Sequence, residues 1–276
     1  MGFKAFLCLC AIAILNSQPI VYATDSSLDK IKTKGYLTVG CKQDCPPFGF
    51  NKKGDIVGFD VDICRYIAEK LGVKLKVVPV ASDMRVKAIT DGLIDIAAST
   101  LTHTKERDSL IDFSIHYFRD GQKLLVRRSS GMKSYSDLTD KSISVPRGTA
   151  TENRIKEVQP DAKIVEFDSY RDCFLALKQG IVDAFTSDSM ILLGLKSQDD
   201  NPQDYEITGE FLSDEPYGLG IIHNDSRWRD FVNECLIEMW NSGEWLRIYN
   251  RWFGPGTKYE YSFEQLDFEM CTWPLQ

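Results

Sequence analysis

A twelve-residue pattern occurs twice in this chain, with its small and acidic residues at the same spacing. "AITDGLIDIAAS" (88–99) and "ALKQGIVDAFTS" (176–187) share Ala, Gly, Asp and Ser, and their glycines, Gly92 and Gly180, lie 88 positions apart. In each copy a helical pattern ends at the glycine and an apolar strand pattern follows. Because helix–glycine–strand is a common unit, the repeat indicates duplication only if the elements around it also match.

The order of elements does match in the two halves. In each, a strand, a helix, a second strand, a second helix and a third strand follow one another. The first set is "YLTVG", "DVDICRYIAEKLG", "LKVVPV", "MRVKAITDG" and "LIDIAAS", and the second is "SISV", "TENRIKEV", "KIVEF", "YRDCFLALKQG" and "IVDAFTS". Strands that alternate with helices predict an α/β fold with a largely parallel sheet. The chain is therefore expected to form two similar α/β lobes.

Polar residues follow the third strand of each half. The first half continues as "STLTHTKER" (99–107), and the repeat makes Ser99-Thr100 the counterpart of Ser187-Asp188. Ligands of open α/β sheets bind beyond the carboxyl ends of the strands. Two such ends that face each other would form a cleft, with threonines and an arginine on one side and an aspartate on the other.

Arg107 and Asp188 are the charged candidates in this cleft. If Thr104 caps the helix "KERDSLI", Arg107 lies in its first turn, where the helix dipole disfavours a cation. A bound anion would relieve that conflict, although on spacing alone an exposed surface arginine is the plainer interpretation. Asp188 suits a ligand ammonium group, and it could instead cap the helix that begins at "DSMILLGL". Both roles of Asp188 are compatible.

No catalytic, metal or cofactor site is expected. The histidines have no acid, serine or cysteine at a catalytic spacing, and "CxxxC" at Cys41 and Cys45 is not zinc spacing. "RGTATEN" (147–153) follows a strand and opens a helix, so it could hold an anion, but helix capping alone also explains it. The C-terminal aromatic residues are spaced like core residues; they are Trp228, Trp240, Trp245, Tyr249 and Trp252.

The first 23 residues predict a secretory signal that is cleaved after Ala23. They combine Lys4, an apolar stretch too short to span a bilayer, and the small-residue ending "VYA". After cleavage, 32 basic residues face 40 acidic ones, a formal charge of −8 that disfavours nucleic acid as a partner. Disulfides are expected in an oxidising compartment. The remaining cysteines allow fifteen pairings, with Cys41–Cys64 the first candidate; they are Cys41, Cys45, Cys64, Cys173, Cys235 and Cys271.

These motifs resemble the extracellular solute-binding proteins of family 3, which deliver polar amino acids to ABC importers. "GFDVDICRYIAEKL" (58–71) resembles the family signature. Further motifs follow in the family's order: "CKQDCPPFGF", "STLTHTKERDSLIDFSIHYF", "GQKLLV", "RGTATEN", "DAFTSD" and "EPYGLGI". The resemblance implies the type II periplasmic-binding-protein fold, in which each lobe is a mixed sheet flanked by helices and two hinge strands join the lobes. It places lobe 1 at 24–126, lobe 2 at 127–219, and the return to lobe 1 with the C-terminal helices at 220–276.

The resemblance also implies roles for individual residues. Arg107 would bind the ligand α-carboxylate with the hydroxyl and N–H of Thr102, and Thr149 would contribute from the second lobe. The Thr100 carbonyl and Asp188 would bind the α-ammonium. The chain departs from some members at Cys45, where they have an aromatic residue that stacks on the ligand.

Ligand choice is expected to depend on Lys42, Arg85 and Tyr170. Members that bind glutamate and aspartate are similar in having a basic residue, an arginine and a tyrosine or histidine at these positions, although Lys42 and Arg85 could be ordinary surface cations. The expected function is therefore binding of glutamate or aspartate for an ABC permease, by a monomer in the periplasm. The alternatives are another polar amino acid such as glutamine, or a cyclohexadienyl dehydratase of the same fold. No enzymatic activity is expected, because the motifs hold no spare acid.

Overall fold

The computed structural model describes residues 26–271, so the predicted signal (1–23) lies outside the described residues. In chain order the helices are α1 (Ser27–Lys34), α2 (Phe59–Leu71), α3 (Arg85–Thr90), α4 (Lys105–Asp108), α5 (Thr151–Val158), α6 (Tyr170–Lys178), α7 (Ser189–Gln198), α8 (Ser226–Asn241), α9 (Glu244–Phe253) and α10 (Phe263–Leu266). The strands are β1 (Tyr36–Cys41), β2 (Asp44–Cys45), β3 (Gly49–Lys52), β4 (Asp55–Val57), β5 (Lys74–Pro79), β6 (Ile96–Ala97), β7 (Asp112–Asp120), β8 (Gln122–Arg127), β9 (Ser142–Pro146), β10 (Lys163–Phe167), β11 (Ala184–Asp188), β12 (Tyr205–Thr208) and β13 (Glu215–Ile221).

Two five-stranded sheets of the same design lie within residues 26–271. The first has the order β5-β1-β6-β13-β7 and the second the order β10-β9-β11-β8-β12. In each sheet four strands run in the same direction and the fourth strand of the order, β13 or β8, runs antiparallel between its two neighbours. Both sheets are therefore mixed, and the predicted α/β fold with two similar lobes is confirmed.

The glycine and the aspartate of the duplicated pattern have the same structural roles in both lobes. Gly92 and Gly180 both have left-handed backbone angles, φ 69° and 75°, which glycine adopts without a steric penalty. Asp95 accepts a hydrogen bond from the N–H of Thr38 at 2.7 Å, and Asp183 accepts one from the N–H of Ser142 at 2.8 Å. Each aspartate thus ties the third strand of its lobe to the start of the first.

The chain crosses between the sheets twice. It leaves β7 at Asp120 and enters β8 at Gln122, and it returns through residues 209–214 into β13. The expected boundaries, 127 and 219, lie within β8 and β13, a few residues after the crossings. Each of these strands already belongs to the sheet that the chain is entering. The carboxyl ends of β6 and β11 face each other across the cleft between the lobes.

The core of lobe 1 is aromatic and includes the end of the described chain. Trp228 and Trp245 are fully buried, and the Trp245 indole N–H donates to the carbonyl of Tyr117 at 2.9 Å. Phe268 packs beside the Trp245 ring and against Phe118 of β7. The predicted core role of the C-terminal aromatic residues is confirmed for these two tryptophans, and the segment 256–271 is part of the same core.

The predicted disulfides do not form in this structure. The six cysteines of the described chain are free thiols, including Cys41 and Cys64. Cys41 on β1 and Cys64 on α2 are instead buried as small apolar residues, and burial raises the pKa of both thiols. Within residues 26–271, every helix is too short or too polar to span a bilayer.

Candidate ligand-binding site

A pocket lies between the lobes, at the carboxyl ends of the central strands. Lobe 1 and the returning strand supply Arg85, Thr100, Thr102, Arg107 and Glu215, and lobe 2 supplies Thr149, Ala150, Thr151, Tyr170 and Asp188. All but one of the sequence-predicted site residues are in this set; the exception is Lys42.

Arg107 reaches the pocket from the start of α4. Thr104 caps this helix, and its hydroxyl accepts from the Arg107 N–H at 3.3 Å. The Arg107 guanidinium donates to the Thr102 carbonyl at 2.9 Å and, across the cleft, to the Gly148 carbonyl at 3.4 Å. Burial, followed by the neighbouring Arg85, lowers the pKa of Arg107 to about 10, so the side chain remains charged at neutral pH. These two bonds leave most of its five N–H groups for an anion.

Arg85 is committed mainly to the protein backbone. Its buried guanidinium donates to the carbonyls of Ser82 (2.8 Å), Ser99, Thr100 and Gly148 (3.1 Å each). Four of its five N–H groups therefore have acceptors. Since the Gly148 carbonyl comes from lobe 2, Arg85 also helps to hold the cleft closed.

Thr100 has an unusual backbone conformation that points to local constraint. Its φ is 49°, a region that β-branched residues rarely adopt. The Thr100 N–H donates to the carboxylate of Asp60 at 3.0 Å, and the Tyr117 hydroxyl donates to the other oxygen of Asp60 at 2.8 Å. Burial raises the pKa of Asp60 to about 6. Asp60, from the signature motif on α2, thus fixes the strand end that faces the pocket.

Asp188 directly precedes α7, and its side chain does not cap the helix. The cap is provided by Asp120, which accepts from the Ser189 hydroxyl at 2.6 Å and the Met190 N–H at 2.9 Å. The Asp188 carboxylate accepts a hydrogen bond from the Tyr217 hydroxyl. Burial, and then the charges of Glu215 and Asp120, raise the pKa of Asp188 well above its ordinary value. Of the two roles expected for Asp188, helix capping is not observed. Its side chain is therefore available to bind a ligand ammonium.

Glu215 is a pocket residue that sequence reasoning missed. It is the first residue of β13 and is only 3% exposed. Its carboxylate lies 3.6 Å from Nε of Arg154 on α5. The available signal was an acid at the head of the apolar run "EPYGLGI", whose position in the cleft depends on a strand that returns from the other lobe.

The second lobe contributes a turn and a helix start. The Thr149 hydroxyl bonds to the Pro146 carbonyl at 2.7 Å and to the Thr151 hydroxyl at 2.9 Å, just before α5 begins at Thr151. Gly148 packs tightly on lobe 1, since a Cβ there would lie 2.5 Å from the Cα of Asp83. The lobes are therefore in contact around the pocket.

The comparisons with known proteins agree with this architecture. The family described as "Bacterial extracellular solute-binding proteins, family 3" matches residues 37–255. The chain belongs to this family.

Two relatives and one solved structure are similar over most of the chain. The solute-binding protein is 33% identical over 252 residues to the ABC transporter glutamine-binding protein of Bacillus subtilis, covering 89% of this chain and 91% of that protein. It is 28% identical to the glutamate/aspartate import solute-binding protein of Escherichia coli, covering 84% and 80%. An ancestral arginine-binding protein bound to glutamine superposes with a TM-score of 0.76 at 37% identity, covering 80% and 98%. All three are named as binding proteins.

In this solute-binding protein, Lys42 lies outside the pocket lining. Its ammonium donates to the Ser82 hydroxyl and lies 5.0 Å from the centre of the Tyr170 ring. Lys42 lines an adjoining groove of about 940 Å³ between the lobes, whereas Tyr170 lines the pocket. Burial lowers the pKa of Lys42. Lys42 and Arg85 both donate to Ser82, Lys42 to its hydroxyl and Arg85 to its carbonyl, and of these two cations Arg85 lines the pocket.

Chemically, the site is suited to binding a small zwitterion. Two guanidinium groups and two carboxyl groups converge on one closed pocket together with backbone and hydroxyl groups. Within residues 26–271, no cluster of three or more His, Cys, Asp or Glu side chains is arranged to hold a metal ion.

Proposed function

We propose that this solute-binding protein is the ligand-binding component of an amino-acid ABC importer and that it binds L-glutamine. The observation that carries the proposal is the charge of the pocket. When both carboxyl groups are ionised, as in the ligand-bound pocket, Arg85 and Arg107 are balanced by Asp188 and Glu215. A zwitterion with a neutral side chain preserves this balance, whereas an acidic amino acid adds an uncompensated charge that is costly in a closed pocket.

The backbone of the amino acid would be bound by charge-assisted hydrogen bonds. The free N–H groups of Arg107 face the α-carboxylate, with Thr102 and the Thr149 turn beside it. The start of α5 adds the favourable end of a helix dipole. The Thr100 carbonyl and Asp188 accept from the α-ammonium. None of these groups distinguishes one side chain from another.

The side chain would be selected near Arg85 and Tyr170. With four of its N–H groups already donated, Arg85 keeps one donor, which suits a single amide oxygen better than bidentate binding of a carboxylate. An arginine ligand is disfavoured because its guanidinium would approach Arg85. The glutamine named for the Bacillus subtilis relative agrees with this choice.

A specific observation supports glutamate or aspartate as the second candidate. Lys42 is only 2% exposed, and within residues 26–271 it has no carboxylate within 4 Å. A ligand carboxylate that extended past Tyr170 would neutralise this cation. The Escherichia coli relative is named for these two amino acids.

Calorimetry with glutamine, glutamate, aspartate, arginine and leucine tests the proposal. We expect glutamine to bind with a dissociation constant of about 1 μM or below, and about 100-fold more tightly than glutamate, a difference of about 2.7 kcal/mol. The Lys42→Met variant should leave glutamine binding within about twofold. Preferential binding of glutamate that is lost in Lys42→Met would establish the second candidate, and a preference for arginine or leucine would refute both.

The proposal also includes export and the absence of catalysis. We expect the mature protein to begin at Thr24 and to be a periplasmic monomer, which the intact mass and the elution volume of protein from that compartment would test.

The dehydratase alternative requires an acid in the cleft, and Glu215 is such an acid, so this alternative is tested directly. Prephenate and arogenate should remain unchanged when incubated with the protein, and product formation would contradict a purely binding role.

A further inference from the structure

We propose that Glu215 binds the ligand α-ammonium together with Asp188, and that binding of an amino acid releases the proton that Asp188 holds in the empty pocket. The inference rests on the proposed function only in requiring a ligand with an α-ammonium group. It adds to the ammonium site a residue that neither the motifs nor the family resemblance assigned.

The first observation is that the Glu215 side chain is buried, yet its carboxylate oxygens keep their capacity to accept hydrogen bonds. It lines the pocket, and within residues 26–271 its carboxylate has no hydrogen-bond donor. The distance from Nε of Arg154 to the Glu215 carboxylate is 3.6 Å, which is longer than a hydrogen bond. This Nε has no hydrogen-bond acceptor either in the described part of the chain. Buried polar groups normally have hydrogen-bond partners. The Glu215 carboxylate, which lacks a donor within these residues, is therefore able to accept hydrogen bonds from a ligand.

The second observation is the set of charged groups around the pair. Asp188 faces Glu215 and Tyr217 on β13, Asp120 on β7, Arg85 on α3 and Tyr170 on α6. Glu215 faces Arg154 on α5, Arg107 on α4 and Asp188 on β11. Asp120 already accepts from Gly121, Ser189 and Met190. Asp188 and Glu215 are therefore the carboxyl groups with acceptor capacity left.

An ammonium group matches this arrangement in number and charge. It has three donors, and the pocket offers the oxygens of Asp188 and Glu215 together with the Thr100 carbonyl. Burial and the neighbouring charge of Glu215 raise the pKa of Asp188, so the empty pocket keeps a proton on Asp188. When the ammonium enters, the carboxyl O–H bond breaks and its proton passes to solvent, which leaves both groups charged against the cation.

The proton makes the inference measurable. Calorimetric titration with L-glutamine at pH 6.5, repeated in buffers of different ionisation enthalpy, should give a slope that corresponds to release of about one proton. Affinity should rise with pH through the range in which Asp188 ionises. In Glu215→Gln the slope should decrease, because the charge of Glu215 contributes to the protonation of Asp188 after burial, and the affinity for L-glutamine should fall about 10- to 100-fold.

A ligand without the ammonium group separates binding from folding. Glutaramic acid is glutamine with hydrogen in place of the α-ammonium. It should bind the wild-type protein weakly, and Glu215→Gln should change its affinity by less than about twofold. Equal losses for both ligands would mean that Glu215 acts through the fold and would overturn the inference, as would an unchanged proton count. Asp214→Asn removes the same charge one residue earlier, from a side chain that is 57% exposed, and should behave like the wild type.

Further variants keep the two proposals distinguishable. If Glu215→Gln fails to fold, Glu215→Asp should retain proton release with a reduced affinity, and loss of proton release in that variant would overturn the inference. If another amino acid binds in place of glutamine, the ligand assignment fails. That amino acid and its deamino counterpart then test the ammonium site in the same way.

Discussion

Asp60 illustrates how a residue outside the pocket determines the geometry inside it. Its carboxylate receives both the Thr100 N–H and the Tyr117 hydroxyl, and so it compensates for the left-handed conformation of Thr100. That conformation directs the Thr100 carbonyl towards the pocket and Arg85. The signature motif thus acts by positioning a binding group and makes no direct ligand contact.

Asp60→Asn should change how stability depends on pH. An unfolded aspartate loses its proton near pH 4, whereas the pKa of Asp60 in the folded protein is about 6. Between these values the folded state holds more protons, so the contribution of Asp60 to the free energy of unfolding falls as pH rises from about 4 to 6. The asparagine variant lacks this decline.

Urea unfolding at pH 4 and pH 7 measures the effect. The stability of Asp60→Asn relative to the wild type should rise by roughly 3 kcal/mol between the two pH values, since one pKa unit corresponds to about 1.4 kcal/mol. Glu69→Gln, an exposed change on the same helix, should show no such trend. A constant difference between Asp60→Asn and the wild type would contradict the raised pKa.

Arg107→Ala should abolish useful binding of every amino acid. Removal of one partner of a buried charge pair costs about 2–5 kcal/mol, which lowers affinity by roughly 30-fold or more. The control is Arg119→Ala, because this arginine is half-exposed on β7 and pairs with Asp214. Calorimetry that showed equal affinities for the two variants would contradict the role of Arg107.

At this scale, sequence reasoning reached the residues that follow a strand directly. Arg107 and Asp188 became candidates because they follow predicted strand ends, and the family resemblance then gave Arg107 and Thr102 their roles. Glu215 was missed since its place depends on β13 returning from the other lobe. The contacts of Lys42 with Ser82 and the Tyr170 ring were likewise not predictable. Such contacts are set by tertiary packing.

At the scale of elements, the tight turn before α5 controls the approach of the lobes. Gly148 has φ +73°, its carbonyl accepts from both Arg85 and Arg107, and its Cα faces the backbone of Asp83. A side chain at this point would push the turn away from lobe 1. The turn therefore belongs to the binding machinery although its residue has no side chain.

Gly148→Ala should weaken ligand binding at least about tenfold, because its Cβ would lie 2.5 Å from Asp83 Cα and N. Gly180→Ala is the matched control: its φ of +75° carries the same backbone strain, of about 1 kcal/mol, but nothing lies within 4 Å of the added Cβ. Both variants should melt at lower temperature, and only Gly148→Ala should lose affinity in calorimetry. Equal affinities would show that the lobes can close without this contact.

Element types were predictable, whereas their lengths were less so. The helix α2 ends at Leu71 before Gly72, as its acidic start and terminal glycine predicted. By contrast, "KERDSLI" forms only the four residues of α4, and "LIDIAAS" contributes only Ile96 and Ala97 to β6. An element stops where its neighbours stop pairing with it, and a local sequence pattern does not contain that information.

At the scale of the whole molecule, the described chain continues beyond the family match and packs across both lobes. The match ends at residue 255, but Phe268 and Met270 are buried in the core of lobe 1. The Tyr259 ring contacts Phe50 of lobe 1, and its hydroxyl accepts from the Gln198 side chain of α7 in lobe 2 at 3.1 Å. The segment 256–271 is thus structural, a role that no motif in the sequence predicted.

Phe268→Ala should destabilise the protein and leave the pocket intact. Loss of a buried phenylalanine costs about 3–5 kcal/mol, which lowers the melting temperature by roughly 10 °C for a chain of this size. Affinity for the ligand should stay within about twofold. Phe211→Ala, which changes an exposed phenylalanine, should lower the melting temperature far less. Similar melting temperatures for the two variants would mean that the segment does not stabilise lobe 1.

The shared Gly148 carbonyl also has a consequence for transport in the cell. Because two arginines of one lobe already donate to it across the cleft, part of the attraction between the lobes does not depend on cargo. Empty molecules that close would compete with loaded ones for the membrane transporter. The strength of this ligand-independent attraction should therefore affect how much ATP the importer hydrolyses without transport. It should also affect the lowest external concentration of amino acid from which the importer can still take it up.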